Sequence, residues 1–424
     1  MPQGADLSLK KVCSKAANNM KILSYVRGFP GNDDYQRDYS QILIELTRQG
    51  HEVTVITLAF EDEYPLDIGN VNLIRFRADK LSSQSRIRRV AAWLGSLKKA
   101  TKYISDNAEN YNIFFGVGWW NICNHLFMRI ALNRKLGGVF SVWDSFNPYS
   151  LDRNKNAVLK RTLLHLLKWS YIFGRKPILK FYSRQESENA VRNGFTWPLQ
   201  IATLGIYTNY GDTPSNRLPD HLATRIPKGW RLLFFNARLD INRKGIDFFI
   251  RGFIRAMQRL GSDMRIMLVV SGREPSGPLR GQRDLLEQLM QPVMQGGHGI
   301  LLGDISDQER RDLLANCDMF LYPSRNDGPP RPVRQAISYG TPVMVTYETG
   351  IGLHAELHHA GIVIREISDS AAEAAIETFN LMTDQDLNRM RLATQRMAES
   401  LQWPLVAEDY AAIFRLAIAQ ASNA

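Results

Sequence analysis

Short apolar runs alternate along the chain with amphipathic stretches and glycine-containing turns, the pattern of parallel strands crossed by helices. Residues 21–26 predict a first strand. A loop over 27–35 follows, carrying Gly28, Pro30 and Gly31, and then a helix with Ile42, Leu43 and Leu46 on one face and Gly50 as its stop. Residues 51–58 predict the next strand, so the chain opens with a strand–loop–helix–strand unit, which builds doubly wound α/β domains. Later strands are expected at 113–117 and 138–143. Residues 207–229 hold Gly211, Pro214, Asn216, Pro219, Pro227 and Gly229 with little periodicity, and read as a linker. A second α/β series begins directly behind it. Strands are expected at 231–236, 265–270, 300–302, 319–322 and 341–346, and helices at 245–260, 308–315 and 332–339, the last closed by Gly340. Residues 404–419 form a final helical pattern.

This division gives a first Rossmann-like domain over 20–207, with 1–19 as a flexible extension and 208–229 as linker. A second Rossmann-like domain runs over 230–403, and 404–424 is a helix packing back toward the first. Length supports it, because 424 residues exceed what one ordinary core organises. A hydrophobic share of 44% beside a charged share of 22% describes a soluble globular protein rather than a disordered or fibrous one. No run reaches the roughly 18 apolar residues that a membrane span needs. Cys13, Cys123 and Cys317 form neither a close pair nor a disulfide framework, which points to a reducing cytoplasm.

Charge adds an asymmetry. Residues 1–200 carry 29 Lys/Arg against 17 Asp/Glu, and the remainder 24 against 25, so all the excess positive charge lies in the first half. Residues 80–180 hold 18 basic and 4 acidic side chains. Such a field attracts an anionic surface. No recognition module accompanies it, which sets nucleic acid aside. Two stretches pair the charge with apolar periodicity. In one, Ile87, Val90, Leu94, Leu97 and Ile104 stand beside Arg88, Arg89, Lys98, Lys99 and Lys102; in the other, 163–169 is flanked by Lys160, Arg161 and Lys168. A core-facing helix with a wet basic back explains the spacing, and so does an interfacial helix on an anionic membrane.

Candidate chemistry concentrates in two blocks. Residues 319–345 read MFLYPSRNDGPPRPVRQAISYGTPVMV, and residues 236–245 read NARLDINRKG. A carboxylate is the strongest side-chain acceptor for sugar hydroxyls, and paired cations or a helix N-terminus receive phosphate. In order and spacing, Pro323, Ser324, Asp327, Gly328, Gln335, Ala336, Gly340, Thr341, Pro342 and Val343 resemble the donor-binding segment of the retaining GT-B glycosyltransferases of family four, the glycosyl transferases group 1. Arg238, Lys244 and Gly245 resemble that family's strand-end Arg followed by Lys-Gly at a helix start. Ser271-Gly272, Leu302-Gly303 with Ser306, and Leu204-Gly205-Ile206 resemble further family positions.

The resemblance implies a GT-B fold, two Rossmann-like domains whose parallel sheets face across a cleft. It implies a retaining, metal-independent transferase moving a hexose from a UDP- or GDP-sugar to a glycan acceptor, lipid-linked or not, in polysaccharide or glycolipid synthesis. The nucleotide sugar is then a substrate, and no cofactor is expected. The second domain would hold the donor through Arg238, Lys244, Asp327, Gly328, Gln335, Ser271 and Gly272, with Gly31 on the cleft loop. Arg238, Lys244, Asp327 and Asp144 are the expected catalytic set. Arg331 and Arg334 read equally as phosphate or acceptor contacts and as a solvated helix face.

The pattern also departs from the family. Asp327 and Gln335 stand where two Glu are usual, Pro329-Pro330 replace small residues that would donate from the backbone, and Trp143-Asp144 occupy the place of a His-Asp pair. These departures support an alternative, a non-catalytic relative acting as binding or scaffold partner of another transferase. A nucleotide-sugar epimerase of the same fold is a second alternative. His354, His358 and His359 around Glu356 superficially suggest a metal, but no distant ligands accompany them.

Overall fold

The computed structural model describes residues 19–27, 29, 34–59, 68–77, 86–143, 145–148, 151, 157–207, 213–274 and 281–423. Gly31, Asp144 and residues 1–18 of the expected extension over 1–19 lie outside them. The chain divides into two compact units, one formed by residues 1–204 with 403–424, the other by 205–402.

The first unit is built on a seven-stranded sheet: β1 (Lys21–Tyr25), β2 (Glu52–Ala59), β3 (Asn72–Arg77), β4 (Ile113–Val117), β5 (Gly137–Ser141), β6 (Ile178–Phe181) and β7 (Leu199–Ile201). Their order is β3-β2-β1-β4-β5-β6-β7, and every pairing is parallel. β1, β4, β5 and β6 are buried at every residue after Lys21, which is why they read as apolar runs rather than alternating ones. The final helix, Trp403–Ser422, belongs to this unit. Its Phe414 ring packs 5.1 Å from Phe115 of β4, and a Cβ on Gly137 would stand 2.8 Å from the backbone of Ala417. The chain's last segment, expected from 404 onward, falls with the first unit from Trp403 onward.

The second unit carries six strands: β8 (Arg231–Asn236), β9 (Ile266–Ser271), β10 (Gly299–Gly303), β11 (Met319–Tyr322), β12 (Val343–Thr346) and β13 (Gly361–Ile364). Their order is β10-β9-β8-β11-β12-β13, again parallel throughout. Residues 213–229, expected as linker, pack on this unit instead. They form a helical turn, Asp220–Ala223, whose Leu222 is fully buried in the second core. Asp312 accepts from the Ser215 amide at 2.6 Å, and Asn316 donates to the Ser215 carbonyl at 2.8 Å. Leu218 and Ile226, half-buried on the same core, flank this anchor, and three apolar residues scattered among prolines and polar residues are enough to hold the segment.

In the core of the first unit, Trp119 is enclosed by Phe140, Phe146, Phe195, Trp197 and His125. The His125 ring sets Nε2 2.7 Å from the Trp119 carbonyl and Nδ1 3.3 Å from the Tyr171 hydroxyl. Burial pushes its pKa down from 6.5 to about 4, more than the Trp119 hydrogen bond restores. The unfolded chain takes up this proton near 6.5 and the folded chain only near 4. Stability is therefore complete above that window and falls as pH drops through it, by about 2 kcal/mol at pH 5. Denaturant midpoints at pH 7 and pH 5 should show this loss in the parent, and His125→Gln should flatten it.

Candidate nucleotide-sugar site

In the second sheet the chain runs from β8 outward to β10, then returns to place β11 on the other side of β8. The β8–β11 pair is thus a topological switch point, where loops leave the carboxyl ends of adjacent strands in opposite directions and open a crevice. Both sequence blocks with candidate chemistry lie there. Behind β8 comes a four-residue helix, Ile241–Lys244, capped by the Asp240 side chain on the Arg243 amide. Gly245 follows in the left-handed region, and the helix Ile246–Leu260 starts from it. Behind β11 comes the loop from Pro323 to Pro330, and then the helix Arg331–Ser338.

The two loops are strapped together. The Arg325 amide donates to the Arg243 carbonyl at 2.9 Å, and the Arg325 guanidinium grips both carboxylate oxygens of Asp247, at 2.6 and 2.8 Å. Between the straps lies one ionic cluster. Asp327 accepts from Arg243 Nη2 at 2.9 Å on one oxygen. The other oxygen lies 2.6 Å from Lys244 Nζ, 2.7 Å from the Ser324 hydroxyl and 3.2 Å from the Tyr322 hydroxyl. Lys244 also donates to Tyr322 Oη at 2.8 Å. The side chains of Lys244 and Asp327 are 10% and 12% exposed, against 30% for Arg243, so only the last meets solvent appreciably.

Electrostatics follows this geometry. Burial alone would raise the Asp327 carboxyl, but Lys244 first, then Arg243 and the hydrogen bonds from Lys244 and Ser324, outweigh it and hold the group below the usual carboxylate range. Burial lowers the Lys244 ammonium and Arg243 and Arg238 push it further, so that it stays below an ordinary lysine although Asp327 pulls it up. Burial, then the Asp327 charge, raises the Tyr322 phenol, which therefore remains a donor. Two cations on one carboxylate, with Arg238 near enough to act on Lys244, leave net positive charge in this cluster. Arg238 is the exposed member, on the loop directly behind β8, and no hydrogen bond or ion pair of its side chain is found among the described residues. Such an arrangement can receive a diphosphate.

The other expected residues divide. Ser271 closes β9, where its hydroxyl accepts from Asn236 Nδ2 at 2.7 Å. A Cβ on Gly272 would overlap the Ala237 carbonyl oxygen, so this position lets the β9 end approach the Arg238 loop. Gly328 lies against Gly350, whose added Cβ would stand 2.9 Å from the Gly328 carbonyl carbon. Gln335 is buried in its helix with Nε2 3.1 Å from the Tyr339 hydroxyl, and no hydrogen bond joins it to Asp327 or Lys244 among the described residues. Arg334, read as a phosphate contact or part of a solvated face, is 1% exposed, and donates to the carbonyls of Gly205 at 2.7 Å and Pro329 at 3.2 Å. It braces the loop behind β11 against the unit's first residue. Glu356 pairs with Arg365 on both oxygens, and among the described residues no group of three or more His, Cys, Asp or Glu is placed to hold a metal.

Sequence reasoning gave no role to Arg243, Tyr322 or Arg325. A basic pair at 243–244 facing the acid of the second block was the available signal for Arg243. Tyr322 and Arg325 had none, since Asp247, which Arg325 grips, and Lys244, one of the two partners of Tyr322, come from behind β8.

Residues 231–382 match the family model described as glycosyl transferases group 1. Over 160 residues the chain is 31% identical to O-antigen chain mannosyltransferase B of Escherichia coli, a stretch covering 36% of this chain and 39% of that protein. Sucrose-phosphate synthase from Thermosynechococcus elongatus superposes with a TM-score of 0.63 at 16% identity, over 95% of this chain and 100% of that one. HepE of Anabaena, solved with UDP and glucose, gives 0.60 at 16% identity over 92% and 98%. WaaG, a glycosyltransferase involved in lipopolysaccharide biosynthesis, gives 0.56 at 17% identity over 93% and 98%. Likeness at these identities carries the fold: two Rossmann-like α/β domains, as the sequence pattern predicted, of the GT-B class that the family resemblance implied.

Proposed function

From a chain whose residues 231–382 match the family model described as glycosyl transferases group 1, we infer a retaining hexosyltransferase that takes a UDP- or GDP-sugar and needs no metal. The observation that carries this reading is the cluster at the β8–β11 switch point, where Lys244 and Arg243 converge on Asp327 beside the exposed Arg238. Arg238 and Lys244 receive the donor diphosphate and stabilise the charge that develops on the departing nucleotide. Asp327, its oxygens already filled by protein donors, acts by fixing the Lys244 ammonium, with Gly328 beside it and Gln335 toward the ribose or phosphate. Gly31 and Asp144 are assigned to the first unit's loops on the family resemblance alone. The acceptor is a glycan, lipid-linked in cell-surface polysaccharide or glycolipid synthesis, brought to the protein at an anionic membrane through the basic first half. The name of the E. coli relative makes a mannosyl donor the first to try.

The test is a thermal-shift panel of UDP- and GDP-sugars, followed by transfer of labelled sugar to a lipid-linked glycan with chelator present, and NMR of the product's anomeric configuration. A shift with at least one nucleotide sugar and chelator-insensitive transfer with retention are expected; a panel without any shift sinks the reading.

The buried amide at Gln335 favours one second reading, a family member that binds without turnover. A neutral hydrogen bond is about half as strong as a charge-assisted one. In a tuned enzyme Gln335→Glu buries a new charge beside Tyr339 and should lower kcat/KM about tenfold or more. A gain of activity on the same substitution would instead identify a lapsed catalyst.

A further inference from the structure

A face of the first unit that the donor site does not use is apolar where solvent should meet it. The helix Ala157–Trp169 buries Leu164 and Leu167 toward the core. Its opposite side is apolar as well: Val158, Leu159, Leu166 and Trp169 fall on one outward stripe, with Val158 80% and Trp169 65% exposed. The turn behind it adds Ile172 and Phe173, the latter 87% exposed. An ordinary surface helix is polar on that side, and contiguous exposed apolar patches mark interaction sites.

Charge says what meets it. Residues 157–181 contain six Lys/Arg and no Asp or Glu. Lys168 lies over the Phe195 ring and donates to the Gly194 carbonyl, and Lys176 stands exposed three residues behind Phe173. A groove of about 690 Å³ on the same face is lined by Leu166, Trp169, Ile172 and Trp197, with Lys168 and Lys176 among its walls. Apolar and aromatic side chains surrounded by cations fit a negatively charged lipid surface, into which an interfacial helix sinks its apolar side while its lysines stay among the headgroups. No helix of the described residues is long and apolar enough to cross a membrane, so the contact is one of lying on the surface.

We propose that the outward stripe Val158, Leu159, Leu166 and Trp169, with the tip Ile172-Phe173, is the surface that docks the protein on an anionic phospholipid bilayer. This deepens the membrane reading above and rests on it: that reading names the basic half, and this one names the wedge.

Co-sedimentation of the full chain tests it, with vesicles of phosphatidylcholine alone and of phosphatidylcholine with about 30% phosphatidylglycerol, at about 0.1 and 0.5 M salt. The parent should partition onto the anionic vesicles, less so at high salt. Trp169→Ser/Phe173→Ser should lower the partition coefficient about tenfold or more, and Lys176→Gln by a smaller factor. Nucleotide-sugar thermal shifts should stay unchanged in all variants, which keeps donor binding separate and reports that the variants fold. Binding by the double variant as strong as the parent's overturns the wedge and leaves the membrane reading standing. Absence of parent binding overturns both. A parent that sediments as a dimer, dissociates on the double substitution and ignores vesicles makes the patch an interface between copies and likewise overturns the proposal.

Discussion

Asp327→Ala is expected to cost the second unit about 3 kcal/mol and to abolish sugar transfer. Removing one partner of a buried ion pair costs about 3–5 kcal/mol, because the other charge is left without its counterion in a poorly solvated place. Here two cations are left, Lys244 at 10% exposure and Arg243 at 30%. The freer access of Arg243 to water sets the loss at the lower end. Asp327→Ala/Lys244→Met should then be less destabilising than Asp327→Ala alone, since only the more exposed Arg243 is left without its counterion, and a coupling above about 1 kcal/mol is expected in the double-mutant cycle. Asp327→Asn separates folding from chemistry. It keeps the shape and lets go of the ammonium, so kcat should fall about 100-fold or more while nucleotide affinity moves less than tenfold. Full transfer activity in Asp327→Asn would remove Asp327 from the mechanism. Acidification gives a third readout. The carboxyl is held below its usual range in the folded state, so its contribution is present above the unfolded value of 3.8 and is lost only as pH falls below it. The cluster therefore stays ionised across the mildly acid window in which His125 titrates against the fold, and the two units should respond to acid at different pH.

These expectations show where the sequence was readable. β1, β4, β8, β9 and β11 are buried apolar runs bounded by turns, and periodicity finds such strands readily. β3, β6, β7 and β13 were not found. β6 contains Lys180, which an alternation pattern places in solvent. The structure buries it entirely, with Nζ 2.6 Å from the Tyr410 hydroxyl and 3.3 Å from the centre of the Tyr182 ring. Burial lowers this ammonium far from its ordinary value, with Glu186 pulling the other way. The hydroxyl that accepts from it belongs to a helix more than 220 residues further along, where local sequence has no reach. β7, three residues long and half exposed, carries too little apolar surface to signal at all.

The site divides the same way. Lys244 and Asp327 were legible as separate residues in two spaced motifs. Their meeting depends on β8 and β11 being neighbours, a consequence of strand order. Arg334 shows the cost of reading a helix face alone. Its spacing suits a solvated side, yet its guanidinium is enclosed by the carbonyls of Gly205 and Pro329. Arg243 and Lys244 are consecutive, and consecutive helical residues do not share a face. They reach two oxygens of one carboxylate because the helix stops after a single turn and the chain reverses through Gly245.

That reversal carries the second large expected effect: Gly245→Ala should destabilise the second unit by at least about 3 kcal/mol and take transfer activity with it. Gly245 has φ of +69°, a conformation costing about 1–2 kcal/mol for alanine. The larger contribution is steric. A Cβ there would overlap the Pro323 carbonyl oxygen and stand 2.8 Å from the Phe248 ring. Neither neighbour is free to withdraw: Pro323 precedes the loop that Arg325 straps to Arg243 and Asp247, and Phe248 is buried in the core. Relief must come from parting the β8 and β11 loops, which separates Lys244 from Asp327. Gly229 isolates the conformational part, because it too has positive φ, +83°, while an added Cβ meets nothing within 4 Å. Gly229→Ala should therefore cost about 1 kcal/mol, leave activity intact, and lower the melting temperature by only a few degrees. Calorimetry of the two variants side by side, with transfer rates measured well below either transition, decides the matter. Equal losses at the two glycines would mean that the close approach of Gly245 to Pro323 does not hold the site together.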